Sequence, residues 1–145
     1  MKLSQKGFEF LTELEDCVLH PYADKKGIWT IGVGCTYYES GAPVHKSDPA
    51  ITEERAFQLF ENIAKSFEKC VNDGIKTVIT QNQYDALFCF CWNVGKSGFT
   101  NSTILRMVNK NPNDKTTITQ AFMMWKGGDN LLLTRQQKQI KHYFS

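Results

Sequence analysis

The sequence lacks a long hydrophobic run and a strong charge of either sign. Its longest apolar stretch, residues 86–92, is far shorter than the roughly 20 residues that a membrane-spanning helix needs. The first ten residues lack the apolar core and the cleavage site of a signal peptide. The net charge of +2 is too small to indicate a nucleic-acid partner, which requires clustered lysine and arginine. We therefore expect no membrane anchor and no nucleic-acid partner.

The chain also lacks a metal-binding pattern. Its five cysteines form no C-x-x-C motif, and its three histidines are scattered, so the spacing excludes an ordinary zinc site. Cys89 and Cys91 are two residues apart in a helical stretch and cannot share one face. An odd number of unclustered cysteines is typical of free thiols, several of them buried, in a reducing compartment. We expect five free thiols and no zinc site.

Helical periodicity dominates what the sequence does contain. The 145 residues, 41% of them hydrophobic, suffice for one compact domain over residues 1–145, and no repeat or linker divides it. Apolar spacing predicts helices over residues 4–14, 53–72, 81–94, 103–109, 117–126 and 133–143. The third helix is apolar on nearly all sides, which is typical of the buried centre of a bundle.

Capping residues mark most of these helix ends. N-caps or capping boxes are predicted at Ser4, Thr52, Thr80, Ser102 and Thr117. Glycines predict the ends of three helices, at Gly74, Gly95 and Gly127-Gly128.

Only residues 20–36 have the composition of strands. "HPYAD" is followed by the turn "KKG" and then by "IWTIGVG", which predicts a hairpin or a small three-stranded sheet. The fold class is therefore α+β and mostly helical. We expect a β-lobe over about residues 16–50 and a helical lobe from residues 1–15 and 51–145, with a ligand cleft between them.

Two carboxyl residues and a threonine lie around this hairpin. Glu15 ends the first helix, Asp24 lies at the turn, and Thr30 lies on the returning strand. Alternation along the strand places Thr30 on one face with Gly32 and Gly34, which leave room for a ligand. Glycosidic-bond cleavage needs one protonated carboxyl group and one carboxylate beside a water molecule. The alternative is that both are ordinary surface residues, because aspartate is a standard turn residue and glutamate is common at helix ends.

Residues 15–36, "EDCVLHPYADKKGIWTIGVGCT", resemble the active-site signature of the phage-type lysozymes, the endolysin muramidases. That signature is Glu, eight residues, Asp, five residues and Thr, and Glu15, Asp24 and Thr30 match it without a gap. Tyr22 and Gly27 match it too. The resemblance continues in "QNQYDALFCFCWNVG", "SGFTNSTIL" and "FMMWKGGDNLLLTRQ", and so covers essentially the whole chain.

The resemblance implies a lysozyme-like fold and hydrolysis of the β-1,4 bond between N-acetylmuramic acid and N-acetylglucosamine in bacterial peptidoglycan. Glu15 would be the general acid, and Asp24 and Thr30 would hold and activate the water. This arrangement implies inversion, although a covalent intermediate on Asp24 remains the alternative until the carboxylate separation is known. Gly32 and Gly34 would contact the substrate, and the reaction would require no metal or organic cofactor.

The resemblance also implies a place of action. The chain would be a monomer made in the host cytoplasm. It would reach the periplasmic peptidoglycan through a separate holin-type pore and cause host cell lysis. The alternatives are a non-catalytic cell-wall-binding module and a tail-associated or secretion-effector domain on the same scaffold.

The chain departs from the family pattern in three places. Cys35 replaces a histidine, the segment after Gly128 is shortened, and an arginine pair is reduced to Arg135-Gln136. The last two changes affect the expected C-terminal substrate contacts and leave the Glu15, Asp24 and Thr30 pattern intact.

Overall fold

The computed structural model describes residues 1–126 and 130–145 of the chain. Its elements are, in order, α1 (Gln5–Leu14), β1 (Val18–Ala23), β2 (Trp29–Gly32), α2 (Glu53–Gly74), α3 (Gln81–Thr100), α4 (Thr103–Lys110), α5 (Lys115–Met123), a short 3₁₀ helix (Met124–Lys126) and α6 (Asn130–Tyr143). The two strands form one antiparallel sheet. The predicted mostly helical α+β fold is confirmed, whereas the predicted helix end at Gly127-Gly128 lies outside the described residues.

Side-chain caps begin most of the helices. The hydroxyl groups of Ser4, Thr52, Thr80 and Ser102 each accept a hydrogen bond from the backbone N–H three residues later, at 2.9 to 3.1 Å. The Gln83 side chain also accepts from the Thr80 N–H at 2.9 Å, which completes the predicted capping box. These bonds satisfy N–H groups that have no partner inside the helix.

Three helix ends differ from the prediction. Gly95 does interrupt α3, with φ of 85°, but helical structure resumes and continues to Thr100. The N-cap of α5 is Asp114 rather than Thr117, because the Asp114 carboxylate accepts the Thr117 N–H at 3.1 Å. The last helix begins at Asn130, three residues before the predicted start at 133, since the intervening leucines are good helix formers.

The described residues divide into two compact units. The first comprises Met1–Gly7 and Ser66–Ser145. Residues 83–91 of α3 are all buried, as predicted for a central helix. The Phe90 ring packs against Phe99, Phe122 and Trp125 with centroids 5.4 to 6.4 Å apart.

A buried carboxylate fixes the N-terminus within this first unit. Asp85 accepts the Ser4 N–H at 3.1 Å, the Ser4 hydroxyl at 2.6 Å and the Gln81 amide at 2.8 Å. A Cβ on Gly7 would overlap the Asp85 side chain. Only glycine at position 7 therefore allows the start of α1 to approach the carboxylate this closely.

The second unit is Phe8–Lys65, which takes in helical residues beyond the predicted β-lobe. Its core is formed by Ile31, Cys35, Val44 and Leu59, with four partly buried side chains, Trp29, Tyr38, Ile51 and Ile63, packed against them. The Phe8 ring packs against Phe57 and Phe60 with centroids 4.9 and 5.4 Å apart. The hydrophobic core of the sheet thus includes residues from the first half of α2.

The second strand is shorter than the sequence predicted. Strand β2 ends at Gly32, and both Gly32 and Gly34 have positive φ, 65° and 66°. The chain reverses there, so that Ile31 and Cys35 form a bridge. Thr30, Ile31 and Gly32 are all buried. The expectation that Thr30, Gly32 and Gly34 share one open strand face is therefore wrong.

All five cysteines are free thiols, as predicted. Cys35, Cys89 and Cys91 are buried, whereas Cys17 and Cys70 are half-buried. Burial, with a smaller effect from Cys17, raises the pKa of the Cys35 thiol to about 11. Burial and then Cys70 raise the pKa of Cys91 to about 12. These two thiols are protonated at neutral pH, so both behave as small apolar core side chains.

Two turns of the second unit share one backbone pattern. In the Asp24 turn (residues 24–28), the Asp24 N–H donates to the Ile28 carbonyl and the Gly27 N–H donates to the Asp24 carbonyl, both at 2.9 Å. In the Tyr38 turn (residues 38–42), the N–H groups of Tyr38 and Gly41 make the same two bonds, also at 2.9 Å. In each turn the fourth of the five residues is a glycine with positive φ.

The Asp24 side chain adds a feature that the Tyr38 turn does not have. One carboxylate oxygen, Oδ1, accepts the N–H groups of Lys26 and Ile28 at 2.8 and 2.9 Å. An asparagine can make the same contacts through its carbonyl oxygen. The turn therefore needs an acceptor at position 24 but does not need a charge.

We predict that Asp24→Ala destabilises the protein by about 1–2 kcal/mol more than Asp24→Asn, because alanine leaves both N–H groups without this acceptor. Urea unfolding of the two variants and the wild type measures the difference. Equal free energies of unfolding for Asp24→Ala and Asp24→Asn would mean that the side chain does not hold the turn.

Candidate active site

The three residues singled out in the sequence, Glu15, Asp24 and Thr30, lie in the same compact unit, Phe8–Lys65. Asp24 lies at the turn between β1 and β2, as predicted. Its Oδ1 is occupied by two backbone N–H groups, whereas no described residue donates to Oδ2. The carboxylate is therefore oriented through one oxygen, and the other is available to accept a proton.

The backbone of Ile28 connects Asp24 with Thr30. Its N–H donates to the Asp24 carboxylate at 2.9 Å. Its carbonyl accepts the Asp24 N–H and the Thr30 hydroxyl, each at 2.9 Å. Ile28 is 47% exposed, so this residue acts through its peptide groups and not as part of the core.

Thr30 is buried, with 3% of its surface exposed. Its hydroxyl donates its single proton to the Ile28 carbonyl. A hydroxyl group has one donor and two acceptor positions. With the donor in use, the Thr30 oxygen can interact with a further group only as an acceptor.

Glu15 directly follows α1. Its N–H donates to the Leu11 carbonyl at 2.8 Å, which continues the helical hydrogen-bond pattern by one residue. Glu15 is half-buried, whereas Glu13 and Asp16 are exposed. The structure thus separates Glu15 from its two acidic neighbours, as the helical rotation of roughly 100° per residue predicts.

Tyr22 is a residue of this region to which the sequence analysis gave no role. It pairs with Thr30 across the sheet. Burial raises the pKa of its phenol, and the carboxylates of Asp16 and Asp24 raise it further. The phenol is therefore protonated at neutral pH, and it lies close enough to both carboxylates for their negative charge to raise its pKa. Its match to the signature, two residues before Asp24, was the available signal.

The two glycines predicted to contact substrate lie in different surroundings. Gly32 is buried, and a Cβ placed on it would lie 3.6 Å from the Ala56 side chain. Gly34 is exposed and belongs to the turn that follows β2. The contact of either glycine with substrate stays a prediction.

The described residues contain no group of three or more His, Cys, Asp or Glu side chains able to hold a metal ion. Within the same ranges, no helix has the length and apolar character needed to cross a membrane.

Comparison with known proteins agrees with this architecture over the full chain. The sequence is 35% identical over 148 aligned residues to the endolysin of Salmonella phage P22, covering 100% of this chain and 99% of that protein. A crystal structure of a P22 lysozyme mutant superimposes with a TM-score of 0.88 at 33% identity and covers 100% of this chain and 99% of that one.

A second solved structure, the endolysin from Escherichia coli O157:H7 phage FAHEc1, gives a TM-score of 0.83 at 31% identity, with 100% of this chain and 94% of that one covered. The sequence model of the phage lysozyme family matches residues 12–139, a range that includes Glu15, Asp24 and Thr30. The chain therefore belongs to the phage lysozyme family.

Proposed function

We propose that this chain cleaves the β-1,4 bond between N-acetylmuramic acid and N-acetylglucosamine, with Glu15 as general acid and with Asp24 and Thr30 holding the attacking water. As a member of the phage lysozyme family, the chain is a lysozyme of the endolysin type that hydrolyses peptidoglycan. The observation that carries the residue assignment is the connection of Asp24 and Thr30 through the backbone of Ile28.

The hydrogen-bond directions around Ile28 suit a water molecule that loses a proton. Such a water must donate a hydrogen bond to its base. One O–H of the water can donate to Asp24 Oδ2, which takes that proton, and the other O–H can donate a hydrogen bond to the Thr30 oxygen, whose own hydroxyl donates to the Ile28 carbonyl. The water would then keep a lone pair for attack on the anomeric carbon. A water activated in this way implies inversion at that carbon.

The surroundings of Glu15 support the proposed acid role. Protonation of the leaving oxygen requires a carboxyl group that is shielded from bulk water and positioned by the fold. Glu15 is half-buried and its backbone is fixed by the end of α1. Glu13 and Asp16 are exposed and serve as internal controls of the same charge type.

We predict that Glu15→Gln lowers the lysis rate by at least about 10²-fold while binding to isolated cell walls is retained, because the amide keeps the shape but cannot donate the proton. Glu13→Gln and Asp16→Asn are the matched controls and should stay close to wild type. The measurements are turbidity loss of outer-membrane-permeabilised Gram-negative cells and sedimentation with purified walls. An active Glu15→Gln beside an inactive Glu13→Gln would overturn the assignment, and loss of wall binding in Glu15→Gln would contradict a purely chemical role.

We predict that Thr30→Ser keeps most of the activity and that Thr30→Val loses about tenfold or more, which corresponds to one hydrogen bond to water of about 1.4 kcal/mol. Serine keeps the hydroxyl and its bond to Ile28, whereas valine keeps the volume and removes both. The same lysis assay measures the rates, and urea unfolding shows whether the buried site tolerates each change. Wild-type activity in Thr30→Val would reduce Thr30 to a strand residue with no part in holding water.

On the resemblance to phage endolysins, we further propose that the chain is made in the host cytoplasm as a monomer and reaches the periplasmic peptidoglycan through a separate holin-type pore. Expression in a Gram-negative host should then cause rapid lysis only when a membrane pore-forming protein is induced with it. Glu15→Gln expressed with the same pore controls for killing by the pore alone. Equally fast lysis without the pore would refute the dependence on a holin.

A further inference from the structure

We propose that Gly27 is a positioning residue for the hydrolysis: its left-handed backbone conformation aims the Ile28 N–H at one oxygen of the Asp24 carboxylate and so orients the other oxygen toward the water. The inference rests on the role proposed above for Asp24. It concerns the backbone that holds the carboxylate.

The conformation of Gly27, and not a lack of space, requires a glycine. Its φ is 78°, and a Cβ built on it would meet nothing within 4 Å. Residues with a side chain are disfavoured in this left-handed region, most of all bulky ones. Position 27 therefore needs a glycine because the backbone must take this direction there.

That direction determines both halves of the water site. The peptide group between Gly27 and Ile28 carries the N–H that donates to Asp24 Oδ1 at 2.9 Å. The next carbonyl, that of Ile28, accepts the Thr30 hydroxyl at 2.9 Å. A change of φ at Gly27 toward negative values would rotate this peptide and move the acceptor that follows it. One backbone angle therefore orients the carboxylate and the hydroxyl together.

The Tyr38 turn provides a matched control within the same unit. Gly41 has φ of 87° and also has nothing within 4 Å of a built Cβ. Its N–H donates to the Tyr38 carbonyl at 2.9 Å, as the Gly27 N–H does to Asp24. No carboxylate is held at the first residue of this turn. Gly41→Ala should therefore impose a similar backbone strain without moving Asp24.

The experiment compares kcat, KM and urea unfolding for Gly27→Ala, Gly41→Ala, Gly27→Asn and Asp24→Asn on soluble peptidoglycan fragments. We expect Gly27→Ala to lower kcat by about tenfold or more with KM within about twofold of wild type, since the site would still bind glycan but would misplace the base. Gly41→Ala should lose similar stability and keep kcat within about twofold. Gly27→Asn should recover part of kcat, because asparagine tolerates the left-handed region.

Equal kcat values for Gly27→Ala and Gly41→Ala, or a lower kcat in Gly27→Asn than in Gly27→Ala, would overturn the inference. If Gly27→Ala does not fold, the comparison of Gly27→Asn with Gly41→Asn decides in the same way. The Asp24→Asn variant distinguishes failure of the Gly27 inference from failure of the proposed function. Wild-type activity in Asp24→Asn would refute the role of Asp24 itself, whereas an inactive Asp24→Asn with equal glycine variants would refute only the positioning by Gly27.

Discussion

The candidate site depends on the hydrogen bonds made by the N–H and the carbonyl of Ile28. Through them the Asp24 carboxylate and the Thr30 hydroxyl, six residues apart, bind the backbone of one residue by one hydrogen bond each, at 2.9 Å. The Asp24 N–H donates a third bond, also of 2.9 Å, to the Ile28 carbonyl. Backbone groups inside a hairpin have little freedom, so they hold a side chain more rigidly than another flexible side chain would. Each bond also satisfies a backbone group that would otherwise need water.

This local arrangement leaves one functional position unused on each side chain. Asp24 engages Oδ1 and keeps Oδ2, and Thr30 donates its proton and keeps its acceptor lone pairs. Both groups are thereby oriented without being saturated, as a site that must hold a reacting water requires. Glu15 is positioned differently, by the last hydrogen bond of a helix. The two carboxyl groups proposed as acid and base are thus held by separate elements of one compact unit.

The sequence predicted the features that depend on local residue chemistry. The N-caps at Ser4, Thr52, Thr80 and Ser102 were correct because a hydroxyl before a helical run has one dominant use. The end of β2 could not be predicted, because alternation assumes an extended chain and a glycine does not reveal the sign of its φ. The cap of α5 was wrong because Asp114 and Thr117 are both acceptable caps. Likewise, only the turn geometry shows that both N–H groups bind the same oxygen of Asp24.

The spacing of the signature has a physical reason in this hairpin. Ile28 closes the Asp24 turn four residues after the carboxylate, and Thr30 follows two residues later on the strand that pairs with Tyr22. One residue added to the turn would separate the Ile28 N–H from Asp24, and one added after Ile28 would move the hydroxyl to the opposite side of the strand. A gap of five residues between Asp24 and Thr30 is therefore a requirement of the turn and the strand period. This requirement explains why the residue spacing in the sequence could identify the three-dimensional arrangement of Asp24 and Thr30.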